Sequence, residues 1–357
     1  MLPFVSVIIP VRNERAMLPR LLDQLLAQNY PPDRCEILVV DGRSTDGTPD
    51  LVRRRFADRA GRVRVLDHPG IHASAGRNVG LRAARGDIIL FLNGHCAVPS
   101  RNLIEDSVAL LERTRAGCLC RPQPLLAPAA TDTGEIIAQA RASWLGRDPL
   151  LCDPTFSGLI DPVHGGATYR REVFERIGLF DESFDACEDL DLNIRLRQAC
   201  IAAFADPRLT VHEQPTARVG RLFREMFRLG RTRLRLRSQY PGCFSSSMLM
   251  PLALLLLLPP AAFAWLFLPT LVAAILTVPL AAFAVAVAVA SVQLGRRFGV
   301  GYAWHAPAIF GAIWFGIGAG QLLELLRPVP ASRAPIEYLA PRVVLEELEL
   351  ETVRRAA

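Results

Sequence analysis

A sharp change in composition near residue 248 divides the chain into two parts. The chain has 357 residues, 51% of them hydrophobic, and its mean hydropathy of +0.24 is high for a soluble protein. The excess lies in residues 248–326, which are nearly free of charge. Within them, three segments are each long enough to cross a bilayer core, which takes about 20 residues; they are residues 248–268, 271–292 and 303–326. The sequence therefore predicts an all-α membrane region of two to three helices after a domain of soluble character.

Before this boundary, apolar runs of strand length alternate with helical patterns. Strands are predicted at residues 5–10, 36–40, 63–66 and 88–92, and helices at 18–28, from 49, and at 73–84. This alternation indicates an α/β fold, a mostly parallel sheet with helices on both faces and right-handed crossovers. No Gly-x-Gly-x-x-Gly follows the first strand, which argues against a dinucleotide site. Residues 117–162 lack clear periodicity, and we expect them to form a long, partly ordered excursion over the active face.

Polar side chains follow two of the predicted strands. The apolar run 88–92 breaks directly into Asn93-Gly94-His95, and the strand 36–40 ends at Asp41. Ligands of open α/β sheets bind at the carboxyl ends of the strands. Asn93 and His95 can hold a metal or a phosphate there, and Asp41 can accept hydrogen bonds from a base or a ribose. The alternatives are an ordinary Asn-Gly turn and an Asp-Gly turn.

Two later segments also carry chemistry. A strand-like stretch begins at His164-Gly165-Gly166, where paired glycines let the backbone approach a ligand. Further on, Glu188, Asp189 and Asp191 occupy the first turn of a predicted helix. The alternative is a well-capped surface helix, because the helix dipole favours acidic residues there. Carboxylates this close raise one another's pKa, however, which favours a general base in a partly buried site.

Composition excludes some chemistries. All 41 basic residues are arginine, so Schiff-base and P-loop lysine mechanisms are excluded. Eight cysteines include no Cys-x-x-Cys pair, which indicates reduced thiols rather than a zinc site. Met1 leads almost directly into a strand-like segment, and we expect no signal peptide and a cytosolic first domain. No nucleic-acid partner is expected.

The segment before the membrane region is strongly basic. Five arginines step by three and four and are predicted to share one helix face; they are Arg221, Arg224, Arg228, Arg231 and Arg235. A basic amphipathic helix beside a hydrophobic segment is typical of a helix lying on anionic lipid, and the alternative is a solvated charged face. Arginines before the first span also predict that the soluble domain lies on the cytoplasmic side of a multi-pass cytoplasmic-membrane protein.

Together these segments resemble the inverting family 2 glycosyltransferases of the GT-A type, over about residues 4–237. The matching segments occur in the family's order: Val5-Ser6-Val7-Ile8-Ile9-Pro10 with Asn13-Glu14, Val40-Asp41-Gly42-Arg43-Ser44-Thr45-Asp46-Gly47-Thr48, Ala75-Gly76-Arg77-Asn78, Asn93-Gly94-His95, and Glu188-Asp189-Leu190-Asp191-Leu192. His95 and the apolar C-terminal region make the chain most similar to the membrane-bound succinoglycan-type glucosyltransferase branch. The resemblance implies a GT-A Rossmann-like catalytic domain at 1–215, an interfacial helix and linker at 216–247, the membrane region at 248–326 and a charged tail at 327–357.

The resemblance also implies roles for individual residues. Asp189 would be the catalytic base and Glu188 its support. The donor would be a nucleotide sugar, with a UDP-sugar as the leading candidate, and the acceptor a polyprenyl-linked or other lipid. Donor contacts are expected from Pro10, Arg12, Glu14, Asp41, Ser44, Gly76, Arg77, Asn78, Asn93 and Gly94. A loop of His164, Gly165 and Gly166, with Asp191, would face the acceptor or the donor sugar, and Arg224 or Arg228 the diphosphate.

One departure from the family pattern leaves alternatives open. Asn93-Gly94-His95 stands where the family has an Asp-x-Asp metal motif, and the triplet has no carboxylate. Mg²⁺ and Mn²⁺ prefer oxygen ligands. His95 and Asn93 can still bind Mn²⁺ or Mg²⁺, or arginines can hold the diphosphate instead. We expect an active, metal-dependent transferase in polysaccharide or glycolipid synthesis. The alternatives are an inactive nucleotide-sugar-binding scaffold and a transport component.

Overall fold

The computed structural model describes residues 2–59, 61–68, 70, 72–126, 132–148 and 150–329. They form two compact units. The first unit lies within residues 1–124 and 150–214, and the second within residues 125–149 and 215–337.

A mixed sheet organises the first unit. Its strands are β1 (Val5–Val11), β2 (Cys35–Asp41), β3 (Val63–Asp67), β4 (Ile88–Phe91), β6 (Cys118–Cys120), β7 (Gly158–Ile160), β8 (Gly166–Arg170) and β9 (Ala203–Ala205). Two further strands, β5 (Cys96–Ala97) and β10 (His212–Glu213), form a separate antiparallel pair. The spatial order of the eight strands in the main sheet is β3-β2-β1-β4-β8-β6-β9-β7. β8 runs antiparallel to both of its neighbours, so β6 points the same way as β1 to β4.

Helices cover both faces of this sheet. They are α1 (Leu18–Leu26), α2 (Thr48–Arg55), α3 (Ala73–Ala83), α4 (Leu103–Thr114), α6 (Arg171–Ile177) and α7 (Glu188–Gln198). Successive side chains of a strand point to opposite faces. Ile9 accordingly packs in one core with α1 and α4, and Ile8 packs in the other with α3 and α7. The predicted α/β class, a mostly parallel sheet with helices on both faces, is confirmed.

The expectation for residues 117–162 is wrong for much of that range. β6 lies inside the sheet, and β7 pairs with β9 at its edge. β6 has only three residues and carries two cysteines, so its apolar pattern is too short to be recognised. A helix between them, α5 (Asp132–Ala142), belongs to the second unit.

The second unit is helical. Besides α5 it contains α8 (Val219–Gln239), α9 (Met250–Phe267), α10 (Thr270–Phe298) and α11 (Val300–Leu326). Three segments are long and apolar enough to cross a membrane by length and composition; they are Ser246–Phe267, Thr270–Phe298 and Val300–Leu326. This supports the predicted membrane association.

α8 packs closely against α11 through glycines. A side chain at Gly316 would place a Cβ 2.9 Å from Met226 Cβ and 3.0 Å from the Phe223 carbonyl oxygen, and one at Gly320 would clash with the Phe227 carbonyl oxygen. Small residues let helix backbones approach in this way.

The arginines of α8 do not behave as one basic face. Arg224 and Arg228 are exposed. Arg231 and Arg235 instead donate to Glu324 of α11, at 2.8 and 3.0 Å, and Arg235 is buried. The prediction of a single lipid-facing basic surface therefore fails for these two residues, because a carboxylate from the neighbouring helix binds them.

Candidate active site

The loops after β1 and β2 are tied together at the carboxyl edge of the sheet. The backbone N–H of Asn13 donates to Ser44 Oγ at 2.8 Å, and the N–H of Thr45 donates to Asn13 Oδ1 at the same distance. Asn13 and Arg43 both have positive φ, near 60°, in these turns. Ser44, a predicted donor contact, thus helps to fix the loop geometry. Arg12 is exposed, and Pro10 is half-buried.

Asp41 is the last residue of β2 and is only 6% exposed. Its Oδ2 accepts from the backbone N–H of Ser44 at 3.0 Å, and its Oδ1 has no hydrogen-bond partner among the described residues. Buried polar atoms are nearly always hydrogen-bonded. Asp41 therefore presents an open acceptor at the position predicted for a nucleoside.

Helix α3 approaches this edge closely. A Cβ at Gly76 would lie 3.3 Å from Pro10 Cβ and 3.6 Å from the His68 ring. Gly76 thus serves helix-to-strand packing. Asn78 is also structural, contrary to its predicted donor contact. It is buried, its Nδ2 donates to the Phe180 carbonyl at 2.9 Å, and its Oδ1 accepts from the Phe180 N–H at 3.0 Å.

Arg77 of α3 and Glu188 of α7 form a buried ion pair. Arg77 Nη1 donates to Glu188 Oε1 at 2.6 Å, and the guanidinium stands 5.8 and 5.3 Å from the ring centres of Phe91 and Phe180. Burial raises the pKa of Glu188, an effect that the charge of Arg77 opposes and the neighbouring Asp189 adds to. Arg77 Nε has no partner among the described residues.

Asp189 follows Glu188 in the first turn of α7, but it is exposed. Its Oδ1 accepts from the backbone N–H of Leu190 at 2.9 Å. Its charge is close enough to act on both Arg77 and Tyr169. The two residues therefore differ in exposure. Glu188, the predicted supporting residue, is buried, and Asp189, the predicted base, is accessible next to it.

Asp191 does not join these two residues. It is buried and its Oδ2 accepts from Arg195 at 2.9 Å, while Arg195 also binds the carbonyl groups of Ile177 and Leu179. This arrangement fastens α7 to the end of α6. The expectation that Asp191 faces a sugar is therefore not supported, because its side chain is enclosed by structural contacts.

His95 lies between two carboxylates. Its Nδ1 is 2.9 Å from Glu14 Oε1 and its Nε2 is 3.1 Å from Glu213 Oε1. Burial opposes protonation, but the two carboxylates outweigh it and raise the pKa of His95 to about 10. Gly94 permits this grouping, since a Cβ there would lie 2.9 Å from Glu14 Cγ.

The predicted metal site does not fit this geometry. Both ring nitrogens of His95 already face carboxylates. Asn93 is half-buried, and its backbone carbonyl accepts from the N–H of Cys96 at 3.0 Å. Among the described residues, no three His, Cys, Asp or Glu side chains are grouped to hold a metal ion. The arrangement therefore does not support the expectation that His95 and Asn93 are metal ligands, which stays a prediction.

Arg121 is a site residue that the sequence did not indicate. It directly follows β6 and is 6% exposed. Its Nε and Nη2 lie 3.4 and 3.2 Å from Gln123 Oε1, and Gln123 Nε2 donates to Glu213 Oε2 at 2.6 Å. Its backbone N–H donates to the Gly165 carbonyl at 3.2 Å. The sequence signal for Arg121 is its position directly after a strand, and this signal could not be used because β6 is too short to be predicted.

The glycines of the predicted loop enter the same region. Gly165 has φ +95°, which favours glycine, and Gly166 has no room for a Cβ because Asn193 Oδ1 would lie 2.6 Å away. The two glycines thus allow a left-handed backbone turn and close packing against Asn193. His164 is half-buried, and its predicted contact with a sugar, like the diphosphate contacts of Arg224 and Arg228, stays a prediction.

A mostly parallel sheet of this strand order, with helices on both faces, has the organisation of a GT-A domain. Residues 6–178 match the family model described as Glycosyl transferase family 2, so this segment of the chain is a family 2 glycosyltransferase domain. The resemblance inferred from the motifs is thereby confirmed.

Individual relatives agree with this assignment. The chain is 38% identical over 114 residues to glycosyltransferase AglE of Haloferax volcanii, covering 32% of this chain and 37% of AglE. It is 28% identical over 235 residues to succinoglycan biosynthesis protein ExoA of Rhizobium meliloti, covering 64% of this chain and 68% of ExoA. The chain thus spans well under half the length of AglE.

A solved structure shares the fold. The mannosyltransferase PcManGT from Pyrobaculum calidifontis, in complex with GDP-Man and Mn²⁺, matches with a TM-score of 0.56 and 22% identity. The match covers 92% of this chain and 88% of that one. At this level of identity the likeness concerns the fold.

Proposed function

We propose that this protein transfers a sugar, with inversion, from a nucleotide-diphosphate sugar to a lipid-linked or membrane-presented acceptor. The observation that carries the proposal is the exposed Asp189 beside the buried Arg77–Glu188 pair. Of the two consecutive carboxylates, Glu188 is held in the interior and Asp189 is exposed and can reach a substrate. The open Oδ1 of Asp41 supports a donor nucleoside at the sheet edge.

In the proposed reaction Asp189 takes the proton of an acceptor hydroxyl. The hydroxyl oxygen then forms a bond to the anomeric carbon as the bond from that carbon to the diphosphate breaks, and the electron pair leaves with the diphosphate. Attack opposite to the leaving group inverts the anomeric centre. A positioned general base contributes typically about 10²–10⁴-fold to such a step. Glu188, bound by Arg77, positions the first turn of α7 and thereby Asp189.

No step is assigned to a divalent cation. Mn²⁺ or Mg²⁺ would require ligands with free lone pairs, and the grouping of His95 with Glu14 and Glu213 offers none on the imidazole. The diphosphate charge must then be balanced by other groups of the site.

The membrane part of the proposal rests on the second unit. Its three long apolar helices support a multi-pass protein of the cytoplasmic membrane, and the arginines of α8 favour a cytoplasmic catalytic domain. A lipid-linked acceptor suits a chain that carries both a catalytic domain and helices of membrane-spanning length. A UDP-sugar is the first donor to test, and polysaccharide or glycolipid synthesis is the proposed setting.

The test is transfer by the full-length protein in lipid nanodiscs, screened across UDP- and GDP-sugars. The acceptors are a polyprenyl-diphosphate-linked sugar and a diacylglycerol, each of which carries a free hydroxyl. Asp189→Asn should abolish transfer and leave nucleotide binding intact, while Glu175→Gln, which removes an exposed carboxylate of α6, should have no effect. NMR of the product should give the inverted anomer. Full activity of Asp189→Asn, or a retained configuration, would refute the mechanism.

A second candidate is a nucleotide-sugar-binding homologue without transferase activity. The observation that favours this candidate is that no three His, Cys, Asp or Glu side chains of the described residues are grouped to hold a cation. Donor binding by the unaltered protein, with no transfer from any donor in the screen, would support this candidate.

A further inference from the structure

Arg121 is a buried cation without a direct counter-ion. No carboxylate of the described residues lies within ion-pair distance of its guanidinium, and its Nη1 has no hydrogen-bond partner among them. The side chain oxygen of Gln123, a neutral group, is the partner of its other nitrogens. An isolated guanidinium in the interior is unfavourable, because burial removes its hydration without replacing it.

The surroundings place this cation inside the candidate active site. Arg121 is close enough to Arg77 for the two charges to repel each other, and Tyr169 and Glu213 act on it as well. The Gln123 bridge leads to Glu213 and then to His95, whose side chains remain 28% and 32% exposed. Arg121 is therefore linked by charge to Arg77 and, through Gln123, to the partly exposed Glu213 and His95.

Two guanidinium nitrogens of this region have no hydrogen-bond partner among the described residues. They are Nη1 of Arg121 and Nε of Arg77, both buried. A guanidinium presents five N–H donors in a planar fork that suits phosphate oxygens and binds them with charge-assisted hydrogen bonds. Glu213, the carboxylate that acts on Arg121, is connected to it only through Gln123, so Nη1 is left for an anion from outside the described residues.

We propose that Arg121, together with Arg77, binds a phosphate group of a substrate at the carboxyl edge of the sheet. The proposal rests on the proposed function, which supplies two sources of phosphate, the donor diphosphate and the phosphate of a lipid-linked acceptor. In either case the arginines supply positive charge at the site where the donor set for a cation does not fit.

The experiment measures binding directly in the full-length protein in nanodiscs of zwitterionic lipid, with EDTA present. Calorimetric titrations use UDP and GDP as probes for the donor site, and undecaprenyl phosphate in the nanodisc as the probe for the acceptor site. Arg121→Met removes the charge and keeps an apolar side chain, and Arg121→Lys keeps the charge without the fork. Arg113→Gln, an exposed arginine of α4, is the charge-matched control.

For Arg121→Met we expect affinity for one of the two phosphate probes to fall about tenfold to a hundredfold. Arg121→Lys should lose less, and the control should bind as the unaltered protein does. Loss for the nucleotides identifies the donor diphosphate, and loss for the polyprenyl phosphate identifies the acceptor. Because Arg121 has no buried carboxylate to leave behind, Arg121→Met should also keep the melting temperature.

Unchanged affinity of a folded Arg121→Met or Arg121→Lys variant for both probes would overturn the inference. So would a large drop in melting temperature with unchanged binding, which would indicate that Arg121 instead stabilises the fold as a counter-ion of Glu213 through Gln123. Failure of the proposed function gives a different pattern, in which the unaltered protein shows no transfer while Arg121→Met still weakens phosphate binding.

Discussion

Arg77 and Glu188 are 111 residues apart in the sequence, yet their side chains meet at 2.6 Å in the interior of the first unit. The pair joins α3 to the first turn of α7, where Asp189 lies. Two segments that carry separate sequence motifs thus form one rigid part of the site. The position of the proposed base depends on an ion pair that is not itself accessible.

Breaking this pair should be strongly destabilising. Arg77→Met leaves the Glu188 carboxylate buried without its counter-ion, and removal of one partner of such a pair typically costs about 3–5 kcal/mol. The double variant Arg77→Met/Glu188→Met should recover much of the loss, since it buries no isolated charge. Chemical denaturation of the detergent-solubilised protein measures both values. A loss below about 1 kcal/mol for the single variant would mean that the pair behaves as a surface salt bridge.

The charged state of His95 predicts a pH-dependent stability. The native pKa of about 10 lies above the unfolded value of about 6.5, so the native state binds more protons between these values. The stabilisation from His95 is complete below pH 6.5 and is lost as the pH rises through about 10. Thermal melts of the unaltered protein and of His95→Gln between pH 7 and 10 compare the two slopes. The melting temperature of the unaltered protein should fall more steeply, and equal slopes would show that His95 is already neutral at pH 7.

The close approach of α8 and α11 predicts a steric effect at one glycine. Gly320→Ala should lower the free energy of unfolding by about 1–3 kcal/mol, because the added methyl group clashes with the Phe227 carbonyl oxygen. Gly311→Ala on the same helix is the matched control, since nothing lies within 4 Å of its Cβ position. Thermal unfolding in detergent should separate the two variants. Equal stability would indicate that the helices can move apart without loss.

The sequence predicted the parts of this molecule whose patterns are local. The alternation of apolar runs and helices was enough for β1 to β4, and the length of the apolar segments was enough for α9 to α11. Asp41 and Asp189 could be proposed as site residues because Asp41 ends a strand and Asp189 lies in the first turn of a helix.

Other features depended on contacts between distant segments. His95 looks like a metal ligand until Glu213, 118 residues later, meets its second nitrogen. Asn78 and Asp191 look like substrate contacts within their motifs, but the loop at Phe180 and the neighbouring Arg195 bind them. Arg121 lies in a short cysteine-containing region with no periodicity, so its burial could be known only from the fold.

Asp41 offers a test of nucleoside recognition. Asp41→Asn keeps an oxygen for the Ser44 N–H but removes the charge and replaces the open acceptor with an N–H₂ donor. If that acceptor binds a donor group of the nucleotide, affinity for UDP or GDP should fall about tenfold, as expected for one charged hydrogen bond. Asp67→Asn is the matched control, because Asp67 ends the adjacent parallel strand β3 but is 82% exposed and paired with Arg53. Calorimetric titration of both variants should show the loss for Asp41→Asn alone. Equal affinities would mean that the nucleoside binds without contact to the free oxygen of Asp41.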